Sequence, residues 1–448
     1  MKRKIFQGYT FMVLILIIVL VFILNSNIKN DVDSLVIVTF ILNGSICIIS
    51  LLKDKYNFSL NKTFWYFNLF FFFLAPLMQY LTNCVLWEFK LNDEDYLNSN
   101  LIILLWYIVY NISFYAIKVN KKSNSEVINI NNTGLHKLLL FTIIAFFIMI
   151  ALIGFKNLFI KKYNNLDFGI EFLNTIITNF LRSIPVFFCT YSIYYYRKYK
   201  KNLCYLFISF VLLFIINFPI SITRYWIGAI YIGIFLTLFK KYIKYKRFDY
   251  IMIFIFLIAF PFFQIFKWYS LSDVFSENIS IDIFSNAYNN VDFDAHNMLA
   301  RALRYVADAD IVYGKNIFST LLFFIPRAIW NDKAIPTGEM IASYQNQSFT
   351  NLSCPLVAEG YVNFGIIGVI LYAIIFARIV KIIDQMYWQE KCEICFIDMY
   401  YPFLIGFFIF LLRGSFHPVV VYMITFYLFL IMWKISKNLF RSTKEEIK

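Results

Sequence analysis

Apolar runs of about 18–22 residues recur along almost the whole chain, and few folds can accept them. As a helix, such a run spans a hydrocarbon core of roughly 30 Å. In lipid, every backbone N–H and C=O must be satisfied internally, which leaves helices and closed barrels. Barrel strands alternate apolar and polar residues over about ten positions, and the runs at 5–24 or 138–155 do not. The chain is 60% hydrophobic and 15% charged, whereas soluble domains carry about 25% charged residues. These features predict an all-α, polytopic helical membrane protein. Twelve transmembrane helices are expected, at 5–24, 34–52, 63–82, 99–117, 138–155, 172–196, 203–219, 222–239, 250–267, 362–383, 399–413 and 416–433. The first follows Lys2, Arg3 and Lys4 and has no small-residue cleavage site after it, so it reads as a retained span.

The net charge of +14 invites a nucleic-acid reading until the charges are sorted by side. The segments expected on the cytoplasmic face hold 27 Lys and Arg against 9 acids, and the opposite side holds 13 against 18, with Arg182 inside a span. This is the positive-inside pattern, with both termini cytoplasmic, and no nucleic-acid partner is expected. Seven cysteines are scattered, and Cys392 and Cys395 form a lone CxxC. Two thiols cannot complete a four-ligand zinc site.

Three regions follow: spans one to nine over 1–267, a long polar-aromatic insertion over 268–361, and spans ten to twelve with a cytoplasmic tail over 362–448. A transporter rarely needs so large an insertion at one place; an enzyme working on a lipid-anchored substrate does. Within the insertion, Asp294 is placed to cap a helix running to about Ala307, with His296, Ala300, Leu303 and Ala307 on one stripe. Arg304 and Asp308 are spaced as an i, i+4 pair. The segment 316–325 is apolar but too short to span, so it should lie against the membrane or re-enter it until Pro326 breaks it. Arg327 and Trp330 then sit at about headgroup depth. In an earlier external loop, Glu88, Asp93, Glu94 and Asp95 read as an acidic solvated turn.

The chemistry rests on cations at the membrane boundary. Arg224, Arg327, Lys333 and Arg413 are expected at one depth on one face, where a polyprenyl diphosphate is the natural ligand. Arginine offers phosphate a planar donor fork, and cations fixed around a leaving diphosphate stabilise its transition state. The acceptor hydroxyl needs a base. The candidates are His296, Glu359 and His417, His136 being expected on the cytoplasmic side. Trp330, Glu339, Arg301 and Arg304 are candidates to hold glycan. Asp308-x-Asp310 and Asp292-x-Asp294 match DxD by letter but read as helix-end acids, so neither metal nor cofactor is expected.

The run Pro326-Arg327-x-x-Trp330-x-x-Lys333-x-x-Pro336 resembles the bacterial O-antigen/capsule repeat-unit polymerases, the Wzy-type family. So do the stretch 351–364 leading into a span with Gly365 and Gly368, and Arg413-Gly414 near the end. The resemblance implies a cytoplasmic (inner) membrane enzyme joining undecaprenyl-diphosphate-linked oligosaccharides at the outer face. The growing chain moves en bloc onto a new lipid-linked unit, by inverting-type glycosyl transfer, and undecaprenyl diphosphate leaves. Arg224, Arg327 and Arg413 would hold diphosphate, with Lys333 assisting. A chain-length regulator and a flippase are the implied protein partners, and the bilayer is the medium. Two other readings stay open: an O-antigen ligase-type enzyme and a lipid-linked oligosaccharide flippase or transporter.

Overall fold

The computed structural model describes residues 28–117, 126–160, 171–243, 245–256, 288–389 and 393–445. Among them the chain is helical throughout, with two isolated β-bridges and no strand. Eight helices are long and apolar enough to cross a membrane: Ser34–Lys53, Leu60–Leu81, Asp93–Ala116, Asn132–Ile153, Ile176–Tyr199, Leu356–Trp388, Phe396–Arg413 and Phe416–Ile435. The expected spans at 203–219 and 222–239 form shorter helices, Leu203–Ile216 and Arg224–Phe239, because 217–223 is spent on the turn between them. At 14 and 16 residues, they fall short of the roughly 20 needed to cross. The expected span 5–24 lies outside the described residues, and of 250–267 only the start is described, in helix Tyr245–Phe254.

The chain divides into two compact units. The first comprises Met1–Val119, Ile243–Asp384 and Leu411–His417. Its span Leu60–Leu81 is buried along its whole length, which lets an apolar helix carry Asn61, Lys62, Thr63, Asn68 and Gln79. The first N–H groups of any helix lack partners within it. Here Asp384 accepts from the Leu60 and Asn61 N–H groups at 2.9 and 3.1 Å, and Ser59 Oγ accepts from Lys62 N–H at 2.9 Å. The next span begins at Asp93, earlier than expected, because Asn92 and Asp95 form a reciprocal capping box. Asp93, Glu94 and Asp95 are therefore its first turn, where acids favour the positive helix end, and not a loop, although Asp93 and Glu94 are solvent-exposed as expected.

Helix Leu356–Trp388 is broken at Phe364 (φ −147°, ψ 22°) and Gly365 (φ 61°, ψ −144°). Only glycine takes that second conformation freely. The two pieces then cross so closely that a Cβ on Gly368 would lie 1.8 Å from the Gly360 carbonyl oxygen.

Helix Ala295–Ala309 enters this unit end-on. Residues 295–302 are all buried, whereas Ala307 is exposed and Leu303 half-buried, so burial follows depth along the helix and not the expected stripe. Helix Lys315–Leu321 stops four residues short of the predicted Ile325. It buries Asn316, Ser319 and Thr320, yet Phe318 and Leu321 are each 61% exposed. Phe324 and Ile329 beyond it are also exposed. That polarity is inverted relative to a helix packed in water.

The second unit comprises Asn120–Tyr242, Gln385–Phe410 and Pro418–Lys448. Its core is aromatic: Phe187, Trp226, Phe403, Phe407 and Phe426 are mutually packed. Gly233 admits the Phe403 ring, which would lie 2.1 Å from any Cβ added there.

Candidate functional site

The described chemistry of the first unit gathers where 291–294, 337–338, 352–359 and 411–417 meet. Asp294 is the hub. Its side chain makes no cap bond to its own helix, contrary to the sequence reading. It accepts instead from Trp87 Nε1 (3.0 Å), Ser353 Oγ (2.8 Å) and Arg413 Nη2 (3.0 Å). Arg413 also donates to the Val291 carbonyl at 3.1 Å and lies 3.9 Å from Asp292. The guanidinium is thus neutralised inside the protein by two nearly inaccessible carboxylates. A buried ion pair of this kind holds position more than it adds net stability.

Glu359 is the second hub, and it too is buried. Its Oε2 accepts from Thr337 Oγ1 at 2.5 Å, and Thr337 in turn accepts from Asn316 Nδ2 at 2.9 Å. Its Oε1 accepts from the Phe416 N–H at 2.7 Å, at the start of the last span. Ser415 donates toward the Leu352 carbonyl and accepts from the Gly338 N–H at 3.1 Å. Both carboxylate oxygens of Glu359 are therefore committed to holding three segments together.

The third group is Arg327, Lys333 and His417. Lys333 Nζ donates to the Phe323 and Ile325 carbonyls, each at 2.8 Å, and Arg327 donates to the Lys333 and Ala334 carbonyls at 2.8 and 3.2 Å. Carbonyls satisfy hydrogen bonds but do not neutralise charge. Among the described residues neither cation has an acidic partner. Burial and the charge of Arg327 lower the Lys333 ammonium below its usual range. Both cations are close enough to His417 to act on it electrostatically. His417 Nδ1 is buried without a partner, which leaves Nε2 as the nitrogen facing outward.

The other predicted residues separate from this group. His296 is wholly buried, stacked on Tyr96 at 5.4 Å, packed on Phe40 at 5.6 Å, and hydrogen-bonded through Nε2 to Asn100 Oδ1 at 3.0 Å. Burial pushes its pKa down to about 3. A neutral imidazole sealed among aromatic rings has no path to an acceptor hydroxyl. Arg301 is fully buried as well, bonded by Nε to Gln345 Oε1 at 2.5 Å and stacked 5.0 Å from Phe89. Burial lowers that guanidinium to about 10, opposed by the charge of Asp294. Arg304 forms a two-pronged pair with Asp95, its Nε at 2.7 Å, in place of the predicted pairing with Asp308. Glu339 and Trp330 are half-buried; the Trp330 N–H bonds the Pro326 carbonyl. Arg224 belongs to the second unit, as the exposed first residue of its helix, so the four cations do not form one described group.

The sequence reading overlooked Asp294, Ser353 and Ser415 as organisers. Asp294 carried one usable signal, its DxD pairing with Asp292; the two serines carried none. Among the described residues no three His, Cys, Asp or Glu side chains gather so as to hold a metal ion. No family model, curated protein or solved structure matches this chain.

Proposed function

We propose that this protein is a membrane glycosyltransferase that polymerises oligosaccharide units carried on undecaprenyl diphosphate. The observation that carries the reading is the pairing of Arg327 and Lys333, without an acid, beside an exposed apolar segment. Such a pairing suits a ligand that is anionic at one end and hydrocarbon at the other. Phe318, Leu321, Phe324 and Ile329 offer the apolar surface, and the two cations follow within a few residues. In this reading the described part of the insertion, 288–355, lies on the outer face of the cytoplasmic membrane, the long apolar helices cross it, and both termini are cytoplasmic.

The step balances as follows. The acceptor hydroxyl attacks the anomeric carbon, the bond from that carbon to the diphosphate oxygen breaks, and the hydroxyl proton passes to His417 Nε2. Arg327 and Lys333 stabilise the charge that grows on the leaving undecaprenyl diphosphate. Glu359 and Asp294 position the segments that carry these groups. Glu359 is not assigned the base role, because both its oxygens already accept hydrogen bonds. A chain-length regulator and a flippase are the expected protein partners.

The test is complementation of a host lacking its own polymerase, with the surface glycan read as a ladder on a gel and membrane expression checked for each variant. Wild type should restore the ladder, and Arg327→Ala should leave single capped units. Accumulation of finished polymer on its lipid in a deletion strain would point to a ligase. Accumulation of single lipid-linked units at the inner face would point to a flippase. Either outcome overturns the polymerase reading.

A further inference from the structure

Along one face of helix Ala295–Ala309, the polar groups at the two ends are bonded and those in the middle are not. Asp294, Asn297, Arg301 and Arg304 recur at three- and four-residue spacing and so share that face. Asp294 accepts from Trp87 Nε1 at 3.0 Å, and Arg304 pairs with Asp95. Between them, Nη1 and Nη2 of Arg301 and Oδ1 of Asn297 are buried without a hydrogen-bond partner among the described residues. The two side chains are 0% and 3% exposed. Buried polar groups are bonded in the great majority of cases. Open donors and an open acceptor one helical turn apart call for a ligand that both accepts and donates, as a hydroxyl does.

Two segments of the same unit flank this face, and each touches it at both ends. In the turn 86–89, Trp87 reaches Asp294, and the Phe89 ring lies 5.0 and 4.9 Å from the guanidinium carbons of Arg301 and Arg304. In the segment 345–353, Gln345 Oε1 accepts from Arg301 Nε at 2.5 Å, and Ser353 donates to Asp294 at 2.8 Å. The two segments meet where the Trp87 and Phe349 rings stack, 5.5 Å apart and 12° from parallel. The turn is held against its residue preferences. Phe89 N–H bonds the Leu86 carbonyl at 3.0 Å, with Trp87 and Glu88 between them at φ 53° and 57°. Turns of that kind select Asn and Gly, and strained residues of this sort gather at ligand sites. Phe349 is 51% exposed and stands among Asn346, Gln347, Ser348 and Thr350, with no aliphatic neighbour in its loop. The exposed Phe324, by contrast, follows Leu321, Leu322 and Phe323. An aromatic face framed by amides and hydroxyls suits a sugar ring, which is apolar on its C–H face and edged with hydroxyls.

We propose that the turn 86–89, the segment 345–353 and the helix face between them form a sugar-binding subsite. One pyranose ring of an oligosaccharide stacks on the Trp87–Phe349 pair, and its hydroxyls accept from Arg301 and donate to Asn297. The Gln345 side chain, which holds Arg301 Nε, yields as the ring enters. That the sugar belongs to a lipid-linked repeat unit rests on the function proposed above; the chemistry of a sugar ring does not. The subsite selects the glycan, while Arg327 and Lys333 hold the diphosphate.

The experiment uses the glycan without its lipid. Repeat-unit oligosaccharide is isolated from the polymerase-lacking host, released from its carrier by mild acid, and added to the full chain in nanodiscs. Binding is read by saturation-transfer-difference NMR, with empty nanodiscs as the blank. Wild type should pass saturation to the C–H protons of one sugar ring. Phe349→Ala, at an exposed position, should bind roughly tenfold more weakly, as for loss of one aromatic contact. Arg301→Gln should weaken binding by a similar factor with no fall in melting temperature, since it removes an unpaired buried charge. The double variant Arg327→Ala with Lys333→Ala should bind the released glycan as wild type does. Binding that survives Phe349→Ala refutes the platform. Binding that survives Arg301→Gln means that ordered water alone meets those nitrogens, and it overturns the inner contacts. If wild type restores the ladder yet binds no released glycan, the subsite is refuted and the proposed function stands. If Phe349→Ala weakens glycan binding but wild type restores no ladder, the subsite stands and the polymerase reading fails. Neither binding nor ladder refutes both.

Discussion

Arg413 and Arg327 look alike in the sequence, each an arginine that follows an apolar segment, and the fold treats them in opposite ways. Arg413 is drawn inward and neutralised by Asp294 and Asp292, with Ser353 and Trp87 completing the shell of Asp294. Arg327 is exposed, and its hydrogen bonds go to carbonyls, as do those of Lys333. A carboxylate ends an arginine's capacity to bind an anion; a carbonyl orients it and leaves the charge in place. Within one unit, then, one region uses cation chemistry to hold the fold and the other keeps it available.

Substitution should separate the two regions. Arg413→Met strands two buried carboxylates and should cost about 3–5 kcal/mol of stability, read as a lower melting temperature in detergent. Adding Asp294→Asn should recover part of that loss. A normal melting temperature with lost polymer would place Arg413 with Arg327 and erase the contrast. Arg327→Ala should do the reverse, lowering polymer yield by roughly 10²–10³-fold, as for removal of a transition-state donor, with little change in melting temperature. Equal loss of both would make Arg327 a structural residue.

Acid should act on the closed region through His296. Its folded pKa is about 3 against an ordinary value of 6.5, so the unfolded chain binds the extra proton between those values. Stability is full above pH 6.5 and falls as pH drops toward 3, by about 1.4 kcal/mol per pH unit for one proton. Comparing wild type with His296→Gln between pH 6 and pH 5 isolates this contribution: the variant should lose that part of the slope. An unchanged slope would mean that His296 is not the titrating group. The smallest effect is expected at Arg304→Lys. It weakens a partly exposed pair with Asp95 and should cost about 0.5 kcal/mol or less. A large loss there would extend the closed region to the start of span Asp93–Ala116.

The legible parts of the fold were those set by local composition. Runs such as 34–52 and 138–155 appear as helices Ser34–Lys53 and Asn132–Ile153, because an apolar run of that length has few alternatives. The break at Gly365 was not legible: the run 362–383 reads as one uninterrupted span, whereas the helix starts at Leu356 and is interrupted at Phe364 and Gly365. The candidate site was legible as residue types but not as pairings. Arg413 and Asp294 are 119 residues apart, Arg304 and Asp95 209 apart, and Glu359 and the Phe416 N–H 57 apart. No local pattern reports contacts at such separations. The same gap explains His296, whose seat among Phe40, Tyr96 and Asn100 comes from two distant spans.

The sequence by itself determined that this chain is helical and apolar enough to cross a membrane repeatedly. Its run lengths and sparse charges leave the backbone few other ways to satisfy its hydrogen bonds in lipid. Only the tertiary structure decided which cations are spent and which are kept. Neutralisation depends on distances of 3–4 Å between distant residues, and those distances exist only once the helices have packed.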